Sequence, residues 1–309
     1  MIAYKRNVSI SMNSIIVTGG TGAVGSAVIR SALAKNMNVT CIVHQGSKRL
    51  GNLPKDDRIR VVECNLSDYQ SLNLEGSYDA FIHLSWEKTF GASRDDAQVQ
   101  THNIQYTLDA CLLAKRCGCR VFVGAGSQAE YGVQSVDLTP SLPVTPESGY
   151  GIAKYAAGKL SAMFCNSIGL RHCWVRILSV YGPNDGENTL ISYVIRELKA
   201  GRPPELTKCE QMWDYIYADD AGEAILAVAR KGEDGKVYPL GSGNGRKLYE
   251  YIEDIRKFIN PSVDVKYGVK DYYPHQPMHL VADISELTKD TGWKPCYSFL
   301  DGLKKFLMC

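Results

Sequence analysis

The chain has 309 residues, 45% of them hydrophobic and 22% charged, an ordinary globular mix that suggests one large or two unequal domains. Its formal net charge is +2, and lysine and arginine are scattered rather than clustered, which argues against nucleic acid or a membrane surface as the main partner. No apolar run approaches the about 20 residues of a membrane span.

The N-terminus lacks the charged, apolar, small-residue order of a signal peptide. Ten cysteines without an export signal then read as reduced thiols of a cytoplasmic protein. Cys117 and Cys119 form the one tight pair. No second pair or histidine stands at zinc spacing, so no metal is expected.

Residues before Met12 carry no pattern, and Met12 makes a natural start. Ser14 to Thr18 (SIIVT) is a β-branched run ending in glycines and predicts a buried parallel strand. Ala23 to Lys35 follows with helical spacing of Val24, Ala27, Val28 and Leu33. Strands are expected at Asn38 to Val43, Arg58 to Glu63, Ala80 to Leu84, Arg120 to Gly124 and Cys173 to Leu178. A helix from Ala97 to Arg116 lies between two of them. Such alternation indicates parallel βαβ units with right-handed crossovers.

After residue 178 the rhythm changes. Pro183 to Asn188 and Gly201 to Pro204 are turn-rich, and helices expected at Leu248 to Ile259 and Ile284 to Thr291 lack alternating strands. The expected class is α/β: a doubly wound parallel sheet of the Rossmann arrangement with a smaller α/β C-terminal lobe. The larger domain would span 12–178, with 209–237 returning to it. The lobe would comprise 179–208 and 238–309.

Thr18 to Gly25 (TGGTGAVG) joins the first strand to the first helix. It fits both Gly20-x-Gly22-x-x-Gly25 and Gly19-x-x-Gly22-x-x-Gly25. Glycines there let the backbone turn sharply and approach a pyrophosphate, which then faces the helix N-terminus. The flanking strand and helix lift this match above a chance glycine turn.

The end of the second strand decides between NAD and NADP. A carboxylate there bonds the ribose 2′-hydroxyl, and a cation suits a 2′-phosphate. Val43 is followed by His44, Gln45, Gly46, Ser47, Lys48 and Arg49, with no carboxylate. NADP(H) is favoured and NAD stays possible, since Lys48 and Arg49 also read as ordinary surface charges.

Tyr150 and Lys154 stand at i, i+4, on one helix face. An unperturbed phenol has a pKa of about 10; a lysine cation and an oxidised nicotinamide would lower it, so that it exchanges protons near neutrality. Alone, the pair reads as two surface neighbours.

With these residues the chain resembles the extended short-chain dehydrogenase/reductases, the nucleotide-sugar epimerases, dehydratases and reductases. The likeness runs from about Met12 to Pro295. Thr18 to Gly25 matches the glycine loop, Phe81 to Leu84 the fourth strand, Ser127 to Gly132 (SQAEYG) the serine loop and Tyr150 to Lys154 the YxxxK element. Arg176 to Pro183, Trp213 to Asp220 and Thr291 to Pro295 match further landmarks.

The resemblance implies Tyr150 as acid/base, Lys154 as holder of the nicotinamide ribose that also lowers the tyrosine pKa, and Ser127 as donor to the reacting oxygen. It implies cofactor contacts from Gly19, Gly22, Ala23, Val24, Gly25, His44, Ser47, Lys48, Arg49, Asn65, Leu66, Leu84, Ser85, Trp86 and Asn103, together with Tyr150 and Lys154. Ser127 also reads as the cap of a strand-end turn, and Asn103 as a support beside the cofactor.

Several positions depart from the family pattern. Dehydratases carry an Asp-Glu pair where this chain has Gln128 and Ala129. Glu130 is one residue late and, in an extended segment, points to the opposite side. Epimerases often have Asn at Ser179 and Arg at Trp213, and no Arg-Gly-Asp element precedes the final helix. Arginines at such sites clamp diphosphate; His275, in the segment Tyr273 to Met278, is the candidate substitute.

The expected function is NADPH-dependent reduction of a 4-keto-6-deoxy sugar nucleotide. The alternatives are an NAD-dependent nucleotide-sugar 4-epimerase and a non-catalytic NADP-sensing regulator. The small-molecule partner is a nucleotide sugar. A homodimer through the Ala97–Arg116 and Tyr150–Phe164 helices follows from the likeness.

Overall fold

The computed structural model describes residues 12–308; the patternless reading of 1–11 lies outside the described residues. Seven parallel strands form the central sheet: β1 (Ser14–Thr18), β2 (Asn38–Val43), β3 (Ile59–Glu63), β4 (Ala80–His83), β5 (Val121–Ser127), β6 (Arg171–Ile177) and β10 (Val237–Leu240). Their spatial order is β10-β6-β5-β4-β1-β2-β3. The chain moves outward from β1 to β3 and then crosses back to β4, so the order reverses between β1 and β4. Ligands of doubly wound sheets lie in the crevice beyond the strand ends at that reversal.

The two faces of the sheet follow from the period of two along each strand. Ile15, Val17 and Ile82 face a cluster with α1 (Ala23–Ala34) and α5 (Ala218–Lys231). Ile16, Phe81 and Phe122 face the other way, toward α2 (Ala97–Arg116) and α3 (Gly149–Ser167). Each fully buried side chain of this size contributes about 1.5–3 kcal/mol. The Arg30–Asp219 pair at 2.6 Å joins α1 to α5.

The smaller lobe gathers α4 (Leu190–Lys199), α6 (Leu248–Ile259) and α8 (Phe299–Met308) around Ile191, Val194, Ile195, Leu198, Tyr251, Ile252, Ile255 and Leu303. The spacing of the four α4 residues is that of a helix with one apolar face. A small sheet orders β11 (Arg246–Lys247), β8 (Met212–Trp213) and β12 (His279–Leu280), and β7 (Ser179–Tyr181) pairs with β9 (Tyr215–Tyr217). α7 (Ser285–Thr291) packs against α5 and β10.

Two segments differ from the expected division. Met212–Trp213, inside the segment expected to return to the larger domain, joins the small sheet. Val237–Leu240, placed almost wholly in the lobe by the sequence reading, completes the large sheet beside β6. Pro239 hid that strand, since proline cannot donate to a ladder; it is tolerated because β10 is an edge. Among the described residues no helix is long and apolar enough to cross a membrane.

Candidate active site

The loop after β1 forms a cradle open to an anion. Gly19 adopts φ +70°, and a Cβ there would lie 2.9 Å from the Leu84 carbonyl carbon. A Cβ on Gly25 would overlap the Gly19 carbonyl. Helix α1 begins at N-cap Gly22 with no side-chain cap and no acidic residue in its first turn. Its first backbone N–H groups, around Ala23 and Val24, therefore remain for a pyrophosphate, which suits their partial positive charge. The loop fits a dinucleotide.

At the end of β2, His44, Lys48 and Arg49 are exposed and Ser47 is buried. Among the described residues no ion pair engages Lys48 or Arg49. A carboxylate is nevertheless near: Glu63, at the end of β3, accepts from the Gly46 N–H at 3.3 Å. Sequence reasoning missed it because it comes from the neighbouring strand. Asn65 spends its amide on Gln45, accepting from the backbone N–H and donating to Oε1, both at 3.2 Å. Leu66 packs against the α2–α3 core.

The segment after β4 is held from two sides. Thr18 Oγ1 accepts from the Leu84 and Ser85 N–H groups, each at 3.1 Å. Buried Asn103 accepts from Glu87 N at 2.9 Å and donates to Glu87 O at 3.1 Å. Gln100, also buried on α2, accepts the Trp86 indole N–H at 2.9 Å. Asn103 thus supports the loop beside the crevice, and Gln100 is a second support that sequence reasoning did not single out.

Ser127, Tyr150 and Lys154 meet at the ends of β5 and α3. Ser127 Oγ accepts from Ala129 N at 3.2 Å, which leaves its own proton to donate to the phenol. Burial pushes the Tyr150 pKa up, while the Ser127 hydrogen bond and the Arg94 charge pull it down. Lys154 follows one turn along α3. Its ammonium donates to the Ala125 carbonyl at 2.6 Å and lies 3.7 Å from the Trp86 ring centroid, against 5.7 Å from that of Tyr150. Burial pulls the Lys154 pKa down to about 7.

Glu130 corrects the sequence reading. Gln128–Glu130 is a 3-10 turn, not an extended segment, and its third residue folds back beneath the first. Oε1 accepts from the Ser127 N–H at 2.8 Å and from the Trp174 indole at 2.9 Å, and Oε2 from Arg176 Nε at 2.7 Å. The carboxylate thus ties the Ser127 backbone to Trp174 and Arg176.

The model of the NAD dependent epimerase/dehydratase family matches residues 15–241. The chain belongs to that family. It is an enzyme of the extended short-chain dehydrogenase/reductase type.

Among relatives, the low-salt glycan biosynthesis protein Agl12 of Haloferax volcanii is 26% identical over 94% of this chain and 96% of its own. The UDP-glucose 4-epimerase of Corynebacterium glutamicum is 24% identical over 91% of this chain and 90% of its own. Among solved structures, the UDP-N-acetylglucosamine 4-epimerase of Methanobrevibacter ruminantium superimposes with a TM-score of 0.86 at 23% identity, covering 97% of this chain and 99% of that one. That likeness concerns the fold.

The lobe carries both Ser179 and Trp213. Trp213 donates its indole N–H to Ser179 Oγ at 2.8 Å, so the two departures from the common epimerase residues are partners. Trp213 also lines a cavity of about 470 Å³ with Tyr193, Leu206, Gln211, Leu248 and Lys270. His275 does not enter it. It sits on an exposed turn 3.3 Å from the Glu147 carboxylate, and the cation that lines the cavity is Lys270, 4.9 Å from the Tyr193 ring centroid.

Proposed function

We propose that the chain reduces a 4-keto-6-deoxy sugar nucleotide with NADPH. The observation that carries this reading is the Tyr150–Ser127 pair at the crevice, with no carboxylate left beside it for elimination. Gln128 and Ala129 are uncharged and Glu130 is engaged by three donors. A bound nicotinamide supplies the hydride for the carbonyl carbon. Tyr150 gives its proton to the carbonyl oxygen, and the Ser127 hydroxyl donates to the same oxygen as charge develops there. Lys154 holds the nicotinamide ribose.

The free Lys48 and Arg49 support NADPH through its 2′-phosphate. The lobe cavity lined by Tyr193, Trp213 and Lys270 has room for the nucleoside, and Lys270 is the cation available to the diphosphate in place of the missing arginine. Leu112 on α2 and Ile152, Leu160 and Met163 on α3 are exposed, which supports a homodimer through these helices.

A second reading, an NAD-dependent 4-epimerase, is favoured by Glu63, whose carboxylate stands beside the loop that would receive a 2′-phosphate. Incubation with NADPH and a 4-keto-6-deoxy sugar nucleotide separates the two. Reduction consumes one NADPH per product. Tightly retained NAD, together with interconversion of two 4-hydroxy sugars without added NADPH, overturns the reductase.

A further inference from the structure

Two cations stand near the Tyr150 ring, and they differ in what else they do. The Lys154 ammonium is committed to the Ala125 carbonyl and the Trp86 face. The Arg94 guanidinium lies closer, 4.7 Å from the Tyr150 ring centroid. Among the described residues no ion pair neutralises Arg94, and its Nε is buried without a hydrogen-bond partner.

The chain fixes this placement from several directions. Gly91, at φ +73°, starts the 3-10 turn Ala92–Asp95 that carries Arg94. Asp95 Oδ1 accepts from the Gly149 N–H at 2.8 Å, seating the turn on the first residue of α3. A Cβ on Gly149 would lie 3.2 Å from Asp95 Cα and 3.4 Å from the Arg94 carbonyl oxygen, so the missing side chain permits the approach. Gln100 holds the turn from behind by donating to Ser93 O at 3.4 Å. Tyr150 is the next residue after Gly149, directly beneath the guanidinium.

We propose that Arg94 is a positioning residue that sets the proton affinity of the Tyr150 phenol. A cation held this close favours the phenolate over the phenol. The direction agrees with the downward pull that Arg94 shares with the Ser127 hydrogen bond on a phenol that burial and the Glu130 charge push up. Arg94 would thus add to the electrostatic work that the family likeness gives to Lys154. The inference rests on Tyr150 being the proton donor, but its test reads the phenol itself and not turnover.

The full chain is prepared with isotope-labelled tyrosine, and the resonance missing from Tyr150→Phe identifies Tyr150. Its ionised fraction is compared at a fixed pH near the ordinary tyrosine value of about 10 in wild type, Arg94→Met and Arg94→Lys. Loss of the cation is expected to lower that fraction about tenfold, a shift of about one pH unit, and Arg94→Lys to restore most of it. Unchanged resonances of the other tyrosines show that the fold persists; Arg94→Gln is the second neutral variant if methionine disturbs the turn. Equal ionisation in wild type and the neutral variants overturns the proposal. So does a fall in Arg94→Lys as large as in Arg94→Met, which marks lost packing instead of lost charge. Absence of turnover with NADPH and a 4-keto-6-deoxy sugar nucleotide would count against the proposed reaction and leave this titration to judge Arg94 alone.

Discussion

The indole of Trp213 donates to the hydroxyl of Ser179 at 2.8 Å, joining β8 of the small sheet to β7 just beyond the central one. An indole N–H in a partly buried place needs an acceptor, and a serine hydroxyl on the next element supplies it. The two positions should therefore be coupled. A cycle of Ser179→Ala, Trp213→Phe and the double variant should give a coupling energy of about 1 kcal/mol, the usual net value of one hydrogen bond. Purely additive losses in denaturant melts would show that the contact contributes nothing.

Replacing Tyr150 with Phe keeps the ring and removes the proton. Turnover should fall by about 10²–10⁴, the usual contribution of a general acid or base, with cofactor affinity retained. Near wild-type turnover removes Tyr150 from the chemistry.

The cofactor preference can be read from both signs of charge. Lys48→Ala with Arg49→Ala should weaken NADPH binding far more than NADH, since only NADPH carries the 2′-phosphate. Glu63→Gln should move the ratio the opposite way by removing a carboxylate beside Gly46. Calorimetry with the two cofactors checks this; equal losses return Lys48 and Arg49 to the surface.

Glu130 and Arg176 form a buried ion pair, with side-chain exposures of 1% and 4%. Glu130→Ala leaves the guanidinium without its partner, and Arg176 Nη1 already lacks one. Removing one member of such a pair costs about 3–5 kcal/mol. Glu130→Ala with Arg176→Met should recover only the part due to the stranded guanidinium, since the Ser127 N–H and the Trp174 indole still lack their acceptor. A single variant as stable as wild type in urea would mean that water reaches the pair.

Lys154 predicts a pH signature in the cofactor-free protein. Its folded pKa is about 7, against an unfolded value of about 10.4. Between those values the unfolded chain keeps a proton that the folded chain lacks, so this residue makes stability rise with pH across the window. Lys154→Met should remove that part of the rise. Parallel stability–pH curves for the two proteins would show that Lys154 stays charged when buried.

What could be read from sequence follows from how local each feature is. Ser14–Thr18, Asn38–Val43 and Ala97–Arg116 emerged with their bounds intact because period and flanking turns are local signals. β5 was cut short at Gly124, yet it runs to Ser127. Its Gly124 and Gly126 carry no strand propensity, but a Cβ on either would collide with the Trp174 indole, a contact set by β6. Within the site, Tyr150 and Lys154 were legible by spacing along one helix. Glu63 and Arg94 were not, because each comes from an element remote in sequence from the residue it meets. Glu130 was misplaced because a 3-10 turn and an extended segment aim the same residue in opposite directions.

The seventh strand has a consequence for anyone who would cut or recombine this chain. β10 is made only after β7, β8 and β9 have been laid down, yet it hydrogen-bonds β6 along Trp174 to Ile177. A truncation anywhere between β6 and β10 leaves β6 as a bare edge, an invitation to pair with another chain. During synthesis the sheet cannot close until residue 240 has left the ribosome. For the same reason the lobe is no detachable cassette: transplanting it into another scaffold requires junctions on both sides of the α5–β10 segment, and a single crossover would exchange part of the sheet along with it.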